Sequence, residues 1–265
     1  MIIDGKKIAE DIKKELKEQI MANPSAGGLK LVIVQVGEND ISKKFIERKI
    51  KFAEEIGVDT ELFNLPAEIS TEKLREKIIE ICDDQKNNSV ILQLPLPAHI
   101  DTQRALDSSP ADKDVDVLSS NKNKILSPLV GVIKIIFEKY DIKPVGKNIV
   151  VIGRGILVGK PIANWLIDQG ATVSVLNSKT LNPSGYTLMA DIIISGVGKP
   201  GLIKPDMVKE GVIAIDAGTS MKDGKLIGDF NPAVAEIASL FTPVPGGVGP
   251  LTVAMLFKNL VELNK

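Results

Sequence analysis

The feature that most constrains the fold is a series of short, strongly apolar runs separated by intervals long enough for a helix. In the second half of the chain, runs rich in Val and Ile occupy residues 148–152, 172–176, 191–195 and 212–216. Because these runs are apolar on both faces, they are typical of parallel strands covered by helices on each side. The sequence therefore predicts an α/β protein with a parallel, Rossmann-like sheet in its second half.

The first half of the chain shows the same alternation. Ile8, Ile12, Leu16 and Ile20 recur every four residues and predict an amphipathic first helix, which residues 23–28 interrupt. Beyond this break the pattern predicts a strand at 29–36, a helix at 42–56, a strand at 61–65, a helix at 71–82, a strand at 89–94 and a helix at 129–140. We therefore expect two α/β domains with a ligand cleft between them. Their expected bounds are 1–124 for the N-terminal domain, 125–252 for the Rossmann-like domain, and 253–265 for a last helix that packs back on the first.

Composition excludes several classes of function. The 265 residues carry 33 Lys and Arg against 34 Asp and Glu, and this balance gives no general attraction to nucleic acid or to an anionic membrane. We expect neither a secretory signal nor a membrane span, since no apolar run approaches the roughly 18 residues that a span needs. The single Cys82 and single His99 predict no metal site and no internal disulfide. These features favour a cytoplasmic protein.

A glycine-rich turn follows the first strand of the second domain. Gly153, Arg154 and Gly155 are followed by Gly159, in the spacing G-x-G-x-x-x-G rather than the commoner G-x-G-x-x-G. Glycines at a strand-to-helix turn let the backbone approach a pyrophosphate, whose charge is attracted to the helix N-terminus. A tight turn without any ligand explains the glycines alone equally well, but the strand–turn–helix context favours a dinucleotide site.

The end of the next strand distinguishes NADP from NAD. Enzymes that use NAD often place an acidic residue there to bind the ribose hydroxyl. This strand instead ends in Asn177, Ser178 and Lys179. A carboxylate would repel a 2′-phosphate, whereas Lys179, Arg154 and the Ser178 hydroxyl are groups that bind one. The sequence therefore favours NADP, with solvated surface charges as the alternative.

Three polar residues of the first half are unusual for a plain core. Lys49 lies in a predicted helix one turn after Phe45, and Gln93 interrupts the apolar strand VILQLPLP. Asp116 ends the acidic run DKDVD near the predicted domain boundary. Taken singly, Lys49 and Asp116 are better explained as a surface lysine and a solvated acidic loop, and Gln93 can also be read as a strand-end amide.

Together, these motifs resemble the bifunctional methylenetetrahydrofolate dehydrogenase/cyclohydrolase family. The matching segments are VGEN, QLPLP, DKDVD, VIGRGILVGKP, NSKT, ADIIISGVGKPG, VIAIDAG and TPVPGGVGPLTVAML, in order from Val36 to Leu256. The resemblance implies oxidation of 5,10-methylenetetrahydrofolate by NADP, followed by hydrolysis of the methenyl product to 10-formyltetrahydrofolate. It also implies a homodimer.

The resemblance gives individual residues a role. Lys49 matches the catalytic lysine that moves protons and activates water, Gln93 the glutamine that orients it, and Asp116 the aspartate that binds the pterin ring. The matched folate-contacting positions are Phe45, Pro245, Gly246, Gly247 and Val248. The matched cofactor-contacting positions are Gly153, Arg154, Gly155, Ser178 and Thr219.

The chain also departs from the family pattern. Phe45 replaces the usual Tyr, Gly155 replaces a Ser, and Asn177 replaces a His. Val117 follows DKDVD where the family has Gly, and the connection from Asp116 to the next helix is shorter than usual. Two alternatives therefore stay open. One is a dehydrogenase with weak or lost cyclohydrolase activity, and the other is a folate- or nucleotide-binding protein without catalysis.

Overall fold

The chain forms two compact units, which a computed structural model describes for residues 1–22 and 28–265. The three-stranded unit comprises residues 10–128 and 253–265, and the five-stranded unit comprises residues 1–9 and 129–252. Residues 23–27, most of the predicted break after the first helix, lie outside the described residues.

The first part of the chain alternates helices with the strands of a parallel sheet. Its elements are α1 (Gly5–Ala22), β1 (Lys30–Val36), α2 (Asp40–Ile56), β2 (Asp59–Leu65), α3 (Thr71–Asp83), β3 (Ser89–Leu92) and α4 (Thr102–Leu106). The strand order is β2-β1-β3, with Ile33 of β1 aligned with Leu62 on one side and Ile91 on the other. β3 ends two residues before the predicted position, because the following Pro95 and Pro97 have no N–H group for a sheet ladder.

The second part of the chain adds the larger sheet. Its elements are α5 (Pro128–Lys139), β4 (Asn148–Ile152), α6 (Gly159–Asp168), β5 (Thr172–Leu176), α7 (Pro183–Thr187), β6 (Ile192–Ser195), β7 (Ile213–Asp216), β8 (Ser220–Lys222), β9 (Lys225–Ile227), α8 (Val234–Ile237), β10 (Leu240–Phe241) and α9 (Val248–Leu263). The five strands pair in the order β10-β7-β6-β4-β5, and every pair is parallel. The predicted fold class, two α/β units with parallel sheets, is confirmed.

The sheet order of the five-stranded unit locates a binding edge. Its first strand, β4, lies between β5 and β6, so the chain crosses to opposite sides of β4 as it continues. In such sheets, ligands bind beyond the carboxyl ends of the strands at this switch point. The residues that follow β4, β5, β6 and β7 all lie at that edge.

Two observed elements differ from the sequence prediction. The antiparallel hairpin β8–β9 turns at Asp223 and Gly224, which both have positive φ, and its three-residue strands are too short to show periodicity. The last helix begins at Val248 rather than at residue 253. Pro250 is compatible with this earlier start, since proline is tolerated in the first turn of a helix. In the described parts of the chain, no helix is long and apolar enough to cross a membrane.

Candidate active site

A partly buried lysine–glutamine pair forms the centre of the candidate site in the three-stranded unit. Lys49 lies on α2, and its Nζ donates a hydrogen bond of 3.1 Å to Oε1 of Gln93, which directly follows β3. The other half of the Gln93 amide is also occupied, since Nε2 donates to the Leu94 carbonyl oxygen at 2.8 Å. The amide is therefore oriented with its acceptor toward the lysine.

A third residue of this network, Ser42, was missed by sequence reasoning. Its side chain is 3 % exposed, and its Oγ donates to the same Leu94 carbonyl oxygen at 3.3 Å. Ser42, Phe45 and Lys49 lie at helical spacing on one face of α2, and this spacing was the signal available in the sequence. The Ser42 hydroxyl thus holds the backbone next to the glutamine that contacts Lys49.

Asp116 is electrostatically coupled to this pair. Burial lowers the pKa of Lys49, while the negative charge of Asp116 opposes that shift. Burial likewise raises the pKa of Asp116, which Lys49 lowers and the nearby Asp114 raises further. The structure therefore brings Lys49, Gln93 and Asp116 together, with each ionisable side chain partly removed from water.

The two acids at the end of the DKDVD motif have different environments. The Asp114 carboxylate accepts hydrogen bonds from the backbone N–H groups of Val117, Leu118 and Ser119 at 2.9, 3.1 and 2.9 Å. These bonds fix the start of the shortened linker, so the role of the Asp114 carboxylate is structural. Val117, the first residue of that linker, has a backbone φ of 55°, a left-handed conformation that a β-branched residue rarely adopts.

A single amide side chain holds both ends of the shortened linker. The Asn259 Nδ2 of α9 donates to the carbonyl oxygens of Val115 and Leu126, each at 2.9 Å. Asn259 is 5 % exposed, so these bonds are shielded from water. The residue before Asp116 is thereby tied to the segment that enters α5.

Phe45 presents a half-buried phenyl ring one turn before Lys49. The Arg48 guanidinium lies 5.8 Å from the centre of this ring, within the range of a cation–π contact. The ring offers a stacking surface but no hydroxyl group. Any hydrogen bond that the family's tyrosine makes is therefore absent from this chain.

In the five-stranded unit, the turn after β4 has the geometry of a phosphate loop. Gly153 has a φ of 103°, and its N–H donates to the Leu176 carbonyl oxygen at 2.8 Å. A Cβ at Gly153 would lie 2.8 Å from Val197 Cγ1, and one at Gly159 would overlap the Gly153 carbonyl. No described side chain caps the N-terminus of α6. The positive end of the helix dipole and the free N–H groups of the first helical turn therefore face this turn, where they can attract an anion.

The remaining predicted cofactor residues follow the carboxyl ends of neighbouring strands. Arg154, Gly155 and Ser178 are exposed after β4 and β5, and Thr219 is half-buried after β7. Asn177 forms the turn after β5 by accepting a hydrogen bond from the Lys179 N–H at 2.9 Å. Cationic and hydroxyl groups at this edge suit a phosphorylated ligand.

The predicted proline–glycine loop also lies in the five-stranded unit. The Gly247 N–H donates to the Pro243 carbonyl oxygen at 2.8 Å, and Val248 is 3 % exposed at the start of α9. A Cβ at Gly5, in the first turn of α1, would overlap the Gly247 carbonyl. Pro245 and Gly246 are therefore the more accessible residues of this loop.

The two residues set aside by sequence reasoning have ordinary environments. The His99 Nε2 lies 2.9 Å from the Ile69 carbonyl oxygen, and Cys82 is buried beside the Ser109 hydroxyl. Over residues 1–22 and 28–265, no group of three His, Cys, Asp or Glu side chains is arranged to hold a metal ion.

Two family models match the chain, one for each part. Residues 3–116 match the catalytic domain of tetrahydrofolate dehydrogenase/cyclohydrolase, and residues 128–265 match its NAD(P)-binding domain. The chain belongs to the tetrahydrofolate dehydrogenase/cyclohydrolase family. The linker at residues 117–127 lies outside both matched ranges, in the region where the sequence departs most from the family pattern.

Named relatives of this tetrahydrofolate dehydrogenase/cyclohydrolase chain match it over nearly its whole length. The bifunctional protein FolD of Moorella thermoacetica is 40% identical, over 98% of this chain and 97% of that protein. The FolD crystal structure from Campylobacter jejuni is 36% identical with a TM-score of 0.94, covering 100% of this chain and 98% of that one. The Trypanosoma brucei FolD structure, complexed with NADP and an inhibitor, is 32% identical with a TM-score of 0.93 and covers 100% of this chain and 97% of that one.

Proposed function

We propose that this chain catalyses the NADP-dependent oxidation of 5,10-methylenetetrahydrofolate and the hydrolysis of the methenyl product to 10-formyltetrahydrofolate. The observation that carries this proposal is the Lys49–Gln93 hydrogen bond, beside Asp116 and in surroundings that lower the pKa of the lysine. We assign the folate to the three-stranded unit and the cofactor to the five-stranded unit, following the two matched family domains.

Lys49 is suited to the hydrolytic step. Burial favours its neutral amine, which can accept a proton from water as that water attacks the methenyl carbon. Gln93 holds the amine in place through Oε1, and the network through Leu94 and Ser42 holds Gln93. The Asp116 carboxylate is an acceptor for pterin N–H groups, and its negative charge favours the cationic methenyl substrate.

The residues of the five-stranded unit fit a phosphorylated dinucleotide. Gly153 and Gly159 allow the turn to pack closely against Val197 and against itself, as in the glycine-rich turns whose backbone amides approach a pyrophosphate. Bound NADP supplies the acceptor for the hydride that leaves the methylene carbon. Arg154, Ser178 and Lys179 would hold its 2′-phosphate, while Gly155 and Thr219 would lie along its backbone contacts.

The test of the proposed function assays the two steps separately in the wild type and in Lys49→Gln. The variant keeps a polar side chain but cannot exchange a proton near neutral pH. We expect cyclohydrolase activity to fall by about 10²–10⁴-fold and dehydrogenase activity to fall much less, so that the methenyl product accumulates. Lys51→Gln, an exposed lysine on the same helix, is the matched control and should keep both activities.

Phe45 and the linker outside both family matches favour a second outcome of the same assay. A wild type that forms the methenyl product rapidly but hydrolyses it slowly would show a dehydrogenase with weakened cyclohydrolase activity. In that case Phe45→Tyr should restore hydrolysis if the missing hydroxyl is the cause. A wild type without either activity would overturn the proposal.

The cofactor choice has a separate test. Arg154→Ala should weaken NADP binding by about 1–3 kcal/mol through loss of a charge-assisted hydrogen bond, and NAD binding should change little. Titration of the purified variant with each cofactor measures both values. Equal losses for the two cofactors would contradict recognition of the 2′-phosphate by Arg154.

We further propose that the chain forms a homodimer and acts in the cytoplasm. Exposed apolar side chains on edge strand β5 and in the segment that follows it support an interface, with Val175 41%, Leu181 88% and Met189 65% exposed. Sedimentation equilibrium should give twice the chain mass of 28.5 kDa. A monomer at micromolar concentration would contradict this assignment.

A further inference from the structure

Two buried carboxylates lie beneath the binding edge of the five-stranded unit. Asp216 ends β7 and is 2 % exposed, and Asp229 follows the β8–β9 hairpin and is fully buried at 0 %. Neither side chain forms an ion pair in the described parts of the chain, and both are surrounded by hydrogen-bond donors. Buried acids need such donors, because an isolated buried carboxylate is strongly destabilising.

Asp229 holds the loop that follows β6. Its Oδ2 accepts hydrogen bonds from the Ser195 hydroxyl at 2.7 Å and from the Val197 N–H at 2.8 Å. Its Oδ1 accepts a third from the Lys199 N–H at 2.7 Å. One carboxylate thus binds the last residue of the strand and two amides of the turn beyond it.

Asp216 holds Asp229 in place. Its carboxylate accepts from the backbone N–H groups of Asp229 at 3.1 Å, Phe230 at 3.0 Å and Gly218 at 2.9 Å. A Cβ at Gly218 would overlap the Asp229 carboxylate, and a Cβ at Gly228 would overlap the Asp216 carboxylate. Glycine at these two positions therefore leaves the space that the two carboxylates occupy. The backbone at residue 229 is therefore fixed by the last residue of β7.

The loop that Asp229 holds contacts the phosphate turn. A Cβ at Gly153 would lie 2.8 Å from Val197 Cγ1, so Val197 packs directly against the turn after β4. β4 and β6 are neighbouring strands, with Ile152 aligned with Ser195, which places both turns at the switch point of the sheet. A shift of the loop at residues 196–199 would therefore move Val197 relative to Gly153.

We propose that Asp229 is a positioning residue of the cofactor site, which holds the loop at residues 196–199 so that Val197 supports the phosphate turn. This inference rests on the proposed function, because the ligand of that turn is NADP. Asp229 does not touch the ligand in this scheme. It acts only through the three hydrogen bonds that it accepts from Ser195, Val197 and Lys199.

The test compares Asp229→Asn with Asp191→Asn. In Asp229→Asn, one carboxylate oxygen is replaced by an NH₂ group, which cannot accept the hydrogen bond from the backbone N–H that it faces. At least one of the hydrogen bonds between residue 229 and the loop at 196–199 is therefore lost. Asp191 is the matched control, since it lies at the amino end of β6, where it accepts from the Asn148 N–H and from Lys209 Nζ. Both variants lose hydrogen bonds within the five-stranded unit, but only Asp229→Asn loses them at the edge formed by the carboxyl ends of the strands.

We expect Asp229→Asn to raise the Kd and KM for NADP at least tenfold, with the KM for the folate nearly unchanged. Hydrogen exchange at residues 196–199 should become faster in the same variant. Asp191→Asn should lower the unfolding temperature without changing the NADP Kd. Fluorescence of Trp165, the single tryptophan, which lies in this unit, verifies that each variant is folded.

Wild-type NADP affinity in folded Asp229→Asn, or an equal loss of affinity in Asp191→Asn, would overturn the inference. If Asp229→Asn does not fold, Ser195→Ala decides, because it removes only one of the three bonds. It should raise the NADP Kd about threefold, and an unchanged Kd would refute the role of Asp229. A wild type that binds no NADP would instead refute the proposed function, while the exchange rates at residues 196–199 would still test whether Asp229 holds the loop.

Discussion

A charge placed next to Lys49 tests most directly whether the neutral amine carries the hydrolytic step. Gln93→Glu replaces the acceptor that lies 3.1 Å from the Lys49 Nζ with a carboxylate. At an effective dielectric constant of about 20, two opposite charges at this distance attract by about 5 kcal/mol. This attraction favours the charged ammonium form and therefore raises the pKa of Lys49.

Two structural penalties reduce that value. The new carboxylate must itself be partly desolvated, and it cannot replace the donation from Gln93 Nε2 to the Leu94 carbonyl oxygen. We therefore expect a net rise in the pKa of Lys49, opposite in direction to the lowering caused by burial. A protonated Lys49 cannot accept a proton from water, so the cyclohydrolase rate at pH 7 should fall toward the loss of about 10²–10⁴-fold that is typical of removing a general base.

The assay is the pH dependence of methenyl hydrolysis from pH 5.5 to pH 10, in the wild type, Gln93→Glu and Gln93→Met. The ascending limb of the Gln93→Glu profile, where Lys49 loses its proton, should move to higher pH, and raising the pH should recover much of the lost activity. Gln93→Met removes the hydrogen bond without adding charge, so its rate should fall without that displacement. An unmoved profile in Gln93→Glu would refute a role for neutral Lys49 as the base.

Three further predictions follow from other parts of the structure. The backbone at Val117 has a φ of 55°, which glycine adopts more easily than alanine, so Val117→Gly should be more stable than Val117→Ala by about 1 kcal/mol. Denaturant unfolding followed by circular dichroism measures this difference. A more stable Val117→Ala would show that the backbone at this position is not strained. Gly155→Ser should tighten NADP binding severalfold in a titration while Gly155→Ala should not, since a Cβ at this position meets nothing within 4 Å. Burial raises the pKa of Asp216 from 3.8 to about 6, so protonation below pH 6 stabilises the folded state. The free energy of unfolding of the wild type, followed by Trp165 fluorescence, should therefore rise relative to Asp216→Asn by about 1.4 kcal/mol from pH 8 to pH 5, and a constant difference would exclude that linkage.

The parallel strands were predictable because their apolar runs record burial on two faces. The predicted strands at 148–152 and 172–176 coincide with β4 and β5, and β6 and β7 each begin one residue later than predicted. The hairpin β8–β9 and the two-residue strand β10 were not predicted, because segments of two or three residues are too short to show a period. Their positions depend on neighbouring strands rather than on local sequence.

The residues of the candidate site also fall into those that the sequence pattern indicates and those that it does not. Gln93 stands out because it interrupts an apolar strand, whereas Lys49 taken alone is typical of a surface lysine and is singled out only by the family resemblance. Ser42 and Asp229 were missed, since a serine in a helix and an aspartate in a glycine-rich loop are common at surfaces. Their burial results from contacts between segments far apart in the sequence, such as the bond from Ser195 to Asp229.

The discontinuity of the three-stranded unit has a consequence for biosynthesis. Residues 253–265, which include Asn259, leave the ribosome only after the whole of residues 129–252. Until then, the carbonyl groups of Val115 and Leu126 lack the amide that joins them, and the segment carrying Asp116 is not held at both ends. The three-stranded unit therefore cannot complete its fold before the whole of the five-stranded unit has been synthesised. The unit that carries Lys49, Gln93 and Asp116 thus depends for some of its contacts on residues translated after the other unit.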